Sequence, residues 1–212
     1  MLRPAPAMMN ADASVLRDAA TVLALLVSGY ALWVTQFNRG RLKMTQPTLV
    51  CLRRELPGSI PKIFLRALLF TTGTKGRVIE SMFLRVHQPS GTYTFDFWGH
   101  TESGKLTLGS GLFVGPNGVV CDHHFNPRQG SGDFLFVDGH YRIEIFVVQV
   151  RRPEPRKLME VTFELNSLQM AELIQIPATE LYLFWNADKR AYDGHTERRP
   201  IPDLNGLSQV RE

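Results

Sequence analysis

With 212 residues, 44% of them hydrophobic and 21% charged, the chain has room for one domain with one sizeable core beside an apolar anchor, and not for two such domains. A formal charge of +4 and an isoelectric point near 9.3 would suit a nucleic-acid binder. Much of the positive excess, however, follows directly on one apolar stretch, where membrane topology accounts for it, and no basic stripe interleaved with aromatics occurs elsewhere, so nucleic acid is not expected as a partner.

Residues 19–37, AATVLALLVSGYALWVTQF, carry no charge and lie between Asp18 and Arg39. As a helix this stretch rises roughly 28 Å, close to the ~30 Å hydrocarbon core of a bilayer. Only Thr21, Ser28, Thr35 and Gln36 interrupt a surface that is apolar all round, and Tyr30 and Trp33 fall late in it, at headgroup level. The reading is a single transmembrane helix with the lipid bilayer as its partner. A cleaved signal peptide, with Val27 and Gly29 as the small residues, fits less well because the apolar run continues through Ala31, Leu32, Trp33 and Val34. Residues 1–18 form an N-terminal flank, and Met8 and Met9 are alternative starts.

Residues 38–47 read as a basic juxtamembrane linker. Arg39, Arg41 and Lys43 flank the anchor and are followed by Arg53 and Arg54 before the first acid, Glu55, whereas only Arg3 and Arg17 precede the span. Cytoplasmic flanks accumulate such cations, so the N-terminus is expected outside the inner membrane and the C-terminal body in the cytoplasm. The alternative is a body on the periplasmic or extracellular side. Ala20, Ala24 and Ser28 recur every fourth residue and form a candidate helix-packing face for homo-oligomer formation in lipid.

From residue 48 the pattern changes to period two, and strands are expected at 48–54, 63–72, 77–87, 92–98, 105–113, 118–125, 134–137, 140–151, 158–166, 180–186 and 190–194. Pro57-Gly58, Gly73 with Gly76, and Pro89 to Gly91 are turn chemistry, while Asn117-Gly118 and Asp138-Gly139 suit tight hairpins. One short helix is expected at 166–174, with Asn166 as cap and Gln169 three residues on. This is a mainly β chain: a single antiparallel β-sandwich over residues 48–195, with a partly closed barrel as the alternative, and a flexible tail over 196–212.

The run Asp138-Gly139-His140-Tyr141-Arg142-Ile143-Glu144-Ile145 resembles the Gly-x-Tyr-x-hydrophobic entry into a late strand of immunoglobulin-like sandwiches. That resemblance implies a tyrosine hydroxyl tying a corner of the fold. The whole layout, one span, a basic stretch and a sandwich, resembles uncharacterised bacterial single-pass membrane proteins, and this likeness carries no activity with it.

The one dense group of ligand-type residues is Cys121, Asp122, His123 and His124. On a strand, Cys121 and His123 share one face and Asp122 and His124 the other, so a metal site would have to recruit His87, His100, His140 or His195. A thiolate nucleophile needs an exposed, electropositive setting, whereas Cys121 alternates in step with Val119 and Phe125. The glycine-rich pieces GSGLFVGPNG and RQGSGDF lack a phosphate-loop lysine and lead toward strands, so no nucleotide or other cofactor is expected. Tyr93, Phe95 and Phe97 share a core face, leaving Trp98 as the candidate exposed aromatic contact. The expected function is a non-catalytic, membrane-tethered module that binds a protein partner or scaffolds a complex. The alternatives are an exported envelope subunit in which Cys51 and Cys121 could be bridged, and a metal or thiol enzyme built on the Cys121 to His124 cluster.

Overall fold

The structure is a computed structural model and describes residues 8–37, 40–55, 60–73, 75–102, 104–109, 111–130, 133–150, 152–176 and 178–199. Residues 1–7 of the N-terminal flank, Arg39, the Pro57-Gly58 turn and the tail from residue 200 lie outside them.

Helix α1, Met8–Leu32, ends in a π-helical turn, Trp33–Phe37. It begins well before residue 19, because alanine and leucine on either side of Asp12, Arg17 and Asp18 continue the helix into the polar flank. Its window Ser14–Thr35 is long and apolar enough to span a membrane, with mean hydropathy 1.5, and none of it is buried by the rest of the chain. Thr21 and Thr35 donate their hydroxyls to the carbonyls of Arg17 and Ala31 at 2.9 and 2.7 Å, which satisfies both groups within the helix, as hydrocarbon requires.

The body is built from β1 Leu42–Met44, β2 Leu49–Glu55, β3 Ile60–Thr71, β4 Arg77–Gln88, β5 Gly91–Glu102, β6 Lys105–Leu108, β7 Leu112–Val114, β8 Val119–Pro127, β9 Gly139–Gln149, β10 Arg152–Leu165, α2 Ser167–Gln175, β11 Thr179–Asn186 and β12 Ala191–Arg198. The expected juxtamembrane linker thus already contains β1, whose Leu42 and Met44 are buried in the core while it pairs with the end of β3. Gly40 makes this entry feasible. It has φ +61°, and a Cβ there would lie 2.2 Å from the backbone nitrogen of Gly73.

All strands join one sheet in the order β10-β9-β4-β5-β8-β3-β2-β11-β12, with β1, β6 and β7 added to β3, β5 and β4. The sheet curls so that its halves face each other over one core, from Leu52, Ile63 and Leu65 to Ile143, Ile145 and Val147. The antiparallel, mainly β architecture expected from the alternation is therefore present, with both layers drawn from a single sheet curled in the manner of a partly closed barrel. Its two ends meet at the rings of Phe163 on β10 and Tyr192 on β12, 6.2 Å apart.

Local departures have local causes. The strand expected at 105–113 is split by Gly109 and Gly111, with φ of +92° and +97°. Segment 134–137 joins no strand, and Phe134 and Phe136 instead plug the core, edge-on to Phe95 and to each other. Asn117-Gly118 is a turn and Asp138-Gly139 a bend into β9, both with positive-φ glycines, but neither joins two paired strands, because β7 pairs with β4 and β8 with β3 and β5, and residues 133–137 before β9 form no strand. β12 runs to Arg198, past the expected end of the domain, since beyond Gly194 this edge strand is exposed apart from half-buried Thr196 and offers no apolar alternation. The capping box is as expected: Asn166 Oδ1 accepts from the Gln169 amide and Gln169 Oε1 from that of Asn166. Tyr141 also ties a corner, donating to the Val137 carbonyl at 2.7 Å and accepting from its amide at 2.9 Å.

Candidate functional site

Strand β8 lies between β3 and β5, and its register sets Ala67 opposite Cys121, Arg66 opposite Asp122, Leu65 opposite His123 and Phe64 opposite His124. Opposed residues share a face. Cys121 and His123 therefore point into the core and Asp122 and His124 away from it. Inside, the Cys121 thiol lies 3.6 Å from His123 Nε2, and the imidazole is fully buried. Burial pushes that thiol up to about 12 and holds His123 down to about 4, helped by nearby His100. A neutral thiol beside a neutral imidazole is poorly suited to nucleophilic attack.

On the outer face Asp122 accepts two hydrogen bonds from Arg66, at 2.6 Å from Nε and 2.8 Å from Nη2. His124 Nε2 is 2.9 Å from the Thr101 hydroxyl, and its ring meets Phe64 edge-on. Burial, together with Arg53, holds His124 down to about 4. His87 is engaged by Thr92 and Glu144, His140 stands exposed near Glu164, and only His100 lies opposite His123 in the ladder. Among the described residues no group of three or more His, Cys, Asp or Glu side chains is placed to hold a metal ion.

Cys51 and Cys121 are both free and buried. Cys51 sits opposite Phe64 on the outer face and Cys121 opposite Ala67 on the core face, with β3 between them, so the envisaged bridge has no geometry available. Around Cys51 the outer face carries a packed ionic layer. Buried Glu180 accepts from Arg53 at 3.1 Å and from the Tyr182 hydroxyl, and forms an ion pair with Arg199 at 3.0 Å. Buried Lys62 pairs with Glu55 and lies 4.2 Å above the ring of Trp98. Trp98 is therefore a half-buried cover for a lysine rather than an open contact.

Of the anchor flanks, Arg41 is tied through its backbone to Thr72 and Lys43 is exposed on β1, so both cations are held where the sheet begins. Ala20, Ala24 and Ser28 are unburied along α1.

The sequence did not point to the seam. Every neighbouring pair along the nine-strand order is antiparallel, so the two end strands, β10 and β12, run parallel to each other. Beside their meeting point is an open cleft of about 830 Å³, floored by Tyr141, Phe163 and Tyr192 and rimmed by Arg142, Thr162 and Arg190 together with His140 and Glu164, which pair with each other. Tyr141 stacks on Phe163 at 5.3 Å, and Tyr192 is fixed by Gln46 and the Pro47 carbonyl. β10 protects its edge with Pro153 and Pro155, whereas β12 has no proline. Arg142 and Arg190 are far apart in sequence, and only the pairing order reveals which strands are edges. Compared with models of known protein families and with curated protein sequences, the chain matches none.

Proposed function

We propose that the chain is a non-catalytic bacterial module, tethered by α1 to the inner membrane with its immunoglobulin-like β domain in the cytoplasm, that binds a protein partner at the seam. The carrying observation is the parity of the sheet. Two parallel edges cannot close by the antiparallel pairing used everywhere else, so each is left free where the cleft opens, and a further strand running antiparallel to one of them can add to that edge. Aromatic residues floor the cleft beside those edges, and Arg142 and Arg190 at its rim favour a partner segment with acidic side chains on the outer face. The engagement of Cys121, Asp122, His123 and His124 by their own neighbours supports a non-catalytic role. Self-association of α1 through Ala20, Ala24 and Ser28 would present two such seams together.

The test is affinity capture of the full chain from a bacterial host, combined with reporter fusions after Gln46 and at the C-terminus. Cytoplasmic signal at both fusions is expected, with a partner whose capture is lost in R142E/R190E and retained in K105E, an exposed site away from the seam. Exported signal would transfer the domain to the envelope side. A partner held equally by R142E/R190E would overturn the seam as its site.

A further inference from the structure

The end of the sheet that receives the anchor is apolar and basic on its surface. β1 enters opposite Thr71, β4 starts at Arg77 after β3 ends, Val119 pairs with Leu69, and β9 ends at Gln149 opposite Ile79. All these strand ends therefore share one rim. On it Val78 and Phe113 lie directly opposite each other, Val150 donates its amide to the Val78 carbonyl, and Val120 follows Val119. Their exposures are 41% for Val78, 63% for Phe113, 50% for Val150 and 58% for Val120. Phe113 is held in place, for its ring lies across Gly76, where a Cβ would come within 2.4 Å of it. Arg41, Lys43, Lys75 and Arg152, on segments that begin or end at the same rim, are also exposed, with the carboxylates Glu80 and Glu154.

The chain itself indicates what covers this rim. Only residues 38–41 separate the end of the π-helical turn at Phe37 from the start of β1 at Leu42, a tether of five Cα–Cα steps that reaches at most about 18 Å even if fully extended. Apolar side chains and cations carried by one end of the sheet this close to the exit of a membrane span face the headgroup region, where buried apolar area and attraction to anionic lipid act together.

We infer that the rim formed by Val78, Phe113, Val120 and Val150 is a membrane-contact surface that seats the β domain on the leaflet from which α1 emerges, with Lys43 and Arg152 on anionic headgroups. The seam then has a defined setting. Thr162 to Leu165 lie at the other end of β10 from Arg152, so the cleft faces away from the bilayer.

This inference rests on α1 being a membrane span, and the test separates the two. Full-length protein carrying F113C or V120C, labelled with an environment-sensitive fluorophore, is reconstituted into nanodiscs of phosphatidylcholine with or without phosphatidylserine. Spin-labelled lipid is the quencher and Q129C, at the far end of β8, the reference. Cys51 and Cys121 are buried and take no label in the folded protein. Quenching at 113 and 120 is expected to exceed that at 129 by about twofold or more. It should strengthen with phosphatidylserine, and K43E/R152E should remove that gain. Equal quenching at all three positions in chains that have incorporated would overturn the rim and leave the anchor standing. Failure to incorporate would overturn both.

Discussion

The hydroxyl of Tyr141 closes a ring with a single residue, Val137, giving a hydrogen bond to its carbonyl at 2.7 Å and taking one from its amide at 2.9 Å. Val137 belongs to a segment that joins no strand, so this hydroxyl replaces the ladder that its backbone lacks. Burial pushes the Tyr141 hydroxyl up to about 12, so it stays protonated at any working pH. Tyr141→Phe keeps the stacking on Phe163 but removes both bonds, and should cost about 1–3 kcal/mol in urea unfolding.

Acid should weaken the domain through His123. Its folded value of about 4 lies below the ordinary 6.5 because the ring is buried. Between these two values the unfolded chain binds a proton that the folded chain refuses, so stability is full above pH 6.5 and falls as pH drops toward 4. The loss from this group alone is on the order of 3 kcal/mol. His123→Phe should roughly halve the pH dependence of the unfolding midpoint over that window, leaving the comparable slope contributed by His124, whose folded value is also about 4.

Glu180 is the shared partner of Arg53, Arg199 and Tyr182. Glu180→Ala leaves the largely buried Arg53 with only its longer contact to Glu55, at 3.5 Å, and should cost about 3 kcal/mol. Glu180→Gln should lie between wild type and alanine. Unfolding by urea, followed by fluorescence of the native tryptophans, distinguishes the three.

Both thiols should resist alkylation in the folded protein. Burial raises Cys51 and Cys121, and neither can reach the other. Mass spectrometry after maleimide treatment should find no label without denaturant and both cysteines labelled in guanidinium, with or without prior reduction.

Gly118→Ala tests the turn before β8. The residue has φ +75°, and its Cβ would lie 2.8 Å from the Leu69 carbonyl oxygen. Strain and contact together should cost about 1–3 kcal/mol, measured as a lowered melting temperature.

What the sequence determined by itself was local. The apolar run, the period-two strands, the capping box at Asn166 and Gln169, and the alternation of Cys121 to His124 are all set by neighbours within a turn of helix or a pair of residues, where side-chain direction follows from backbone period. β1 and the second half of β12, past the strand expected at 190–194, escaped because a three-residue strand and a largely exposed edge leave too little pattern to read. The tertiary structure alone decided which strands are neighbours. Strand order placed Cys51 and Cys121 on opposite faces, left β10 and β12 as parallel edges, and brought Val78, Phe113, Val120 and Val150 to the rim where the chain enters from α1. These relations depend on contacts between residues far apart in the chain, set by how one curled sheet encloses its core, and no spacing along the sequence encodes them.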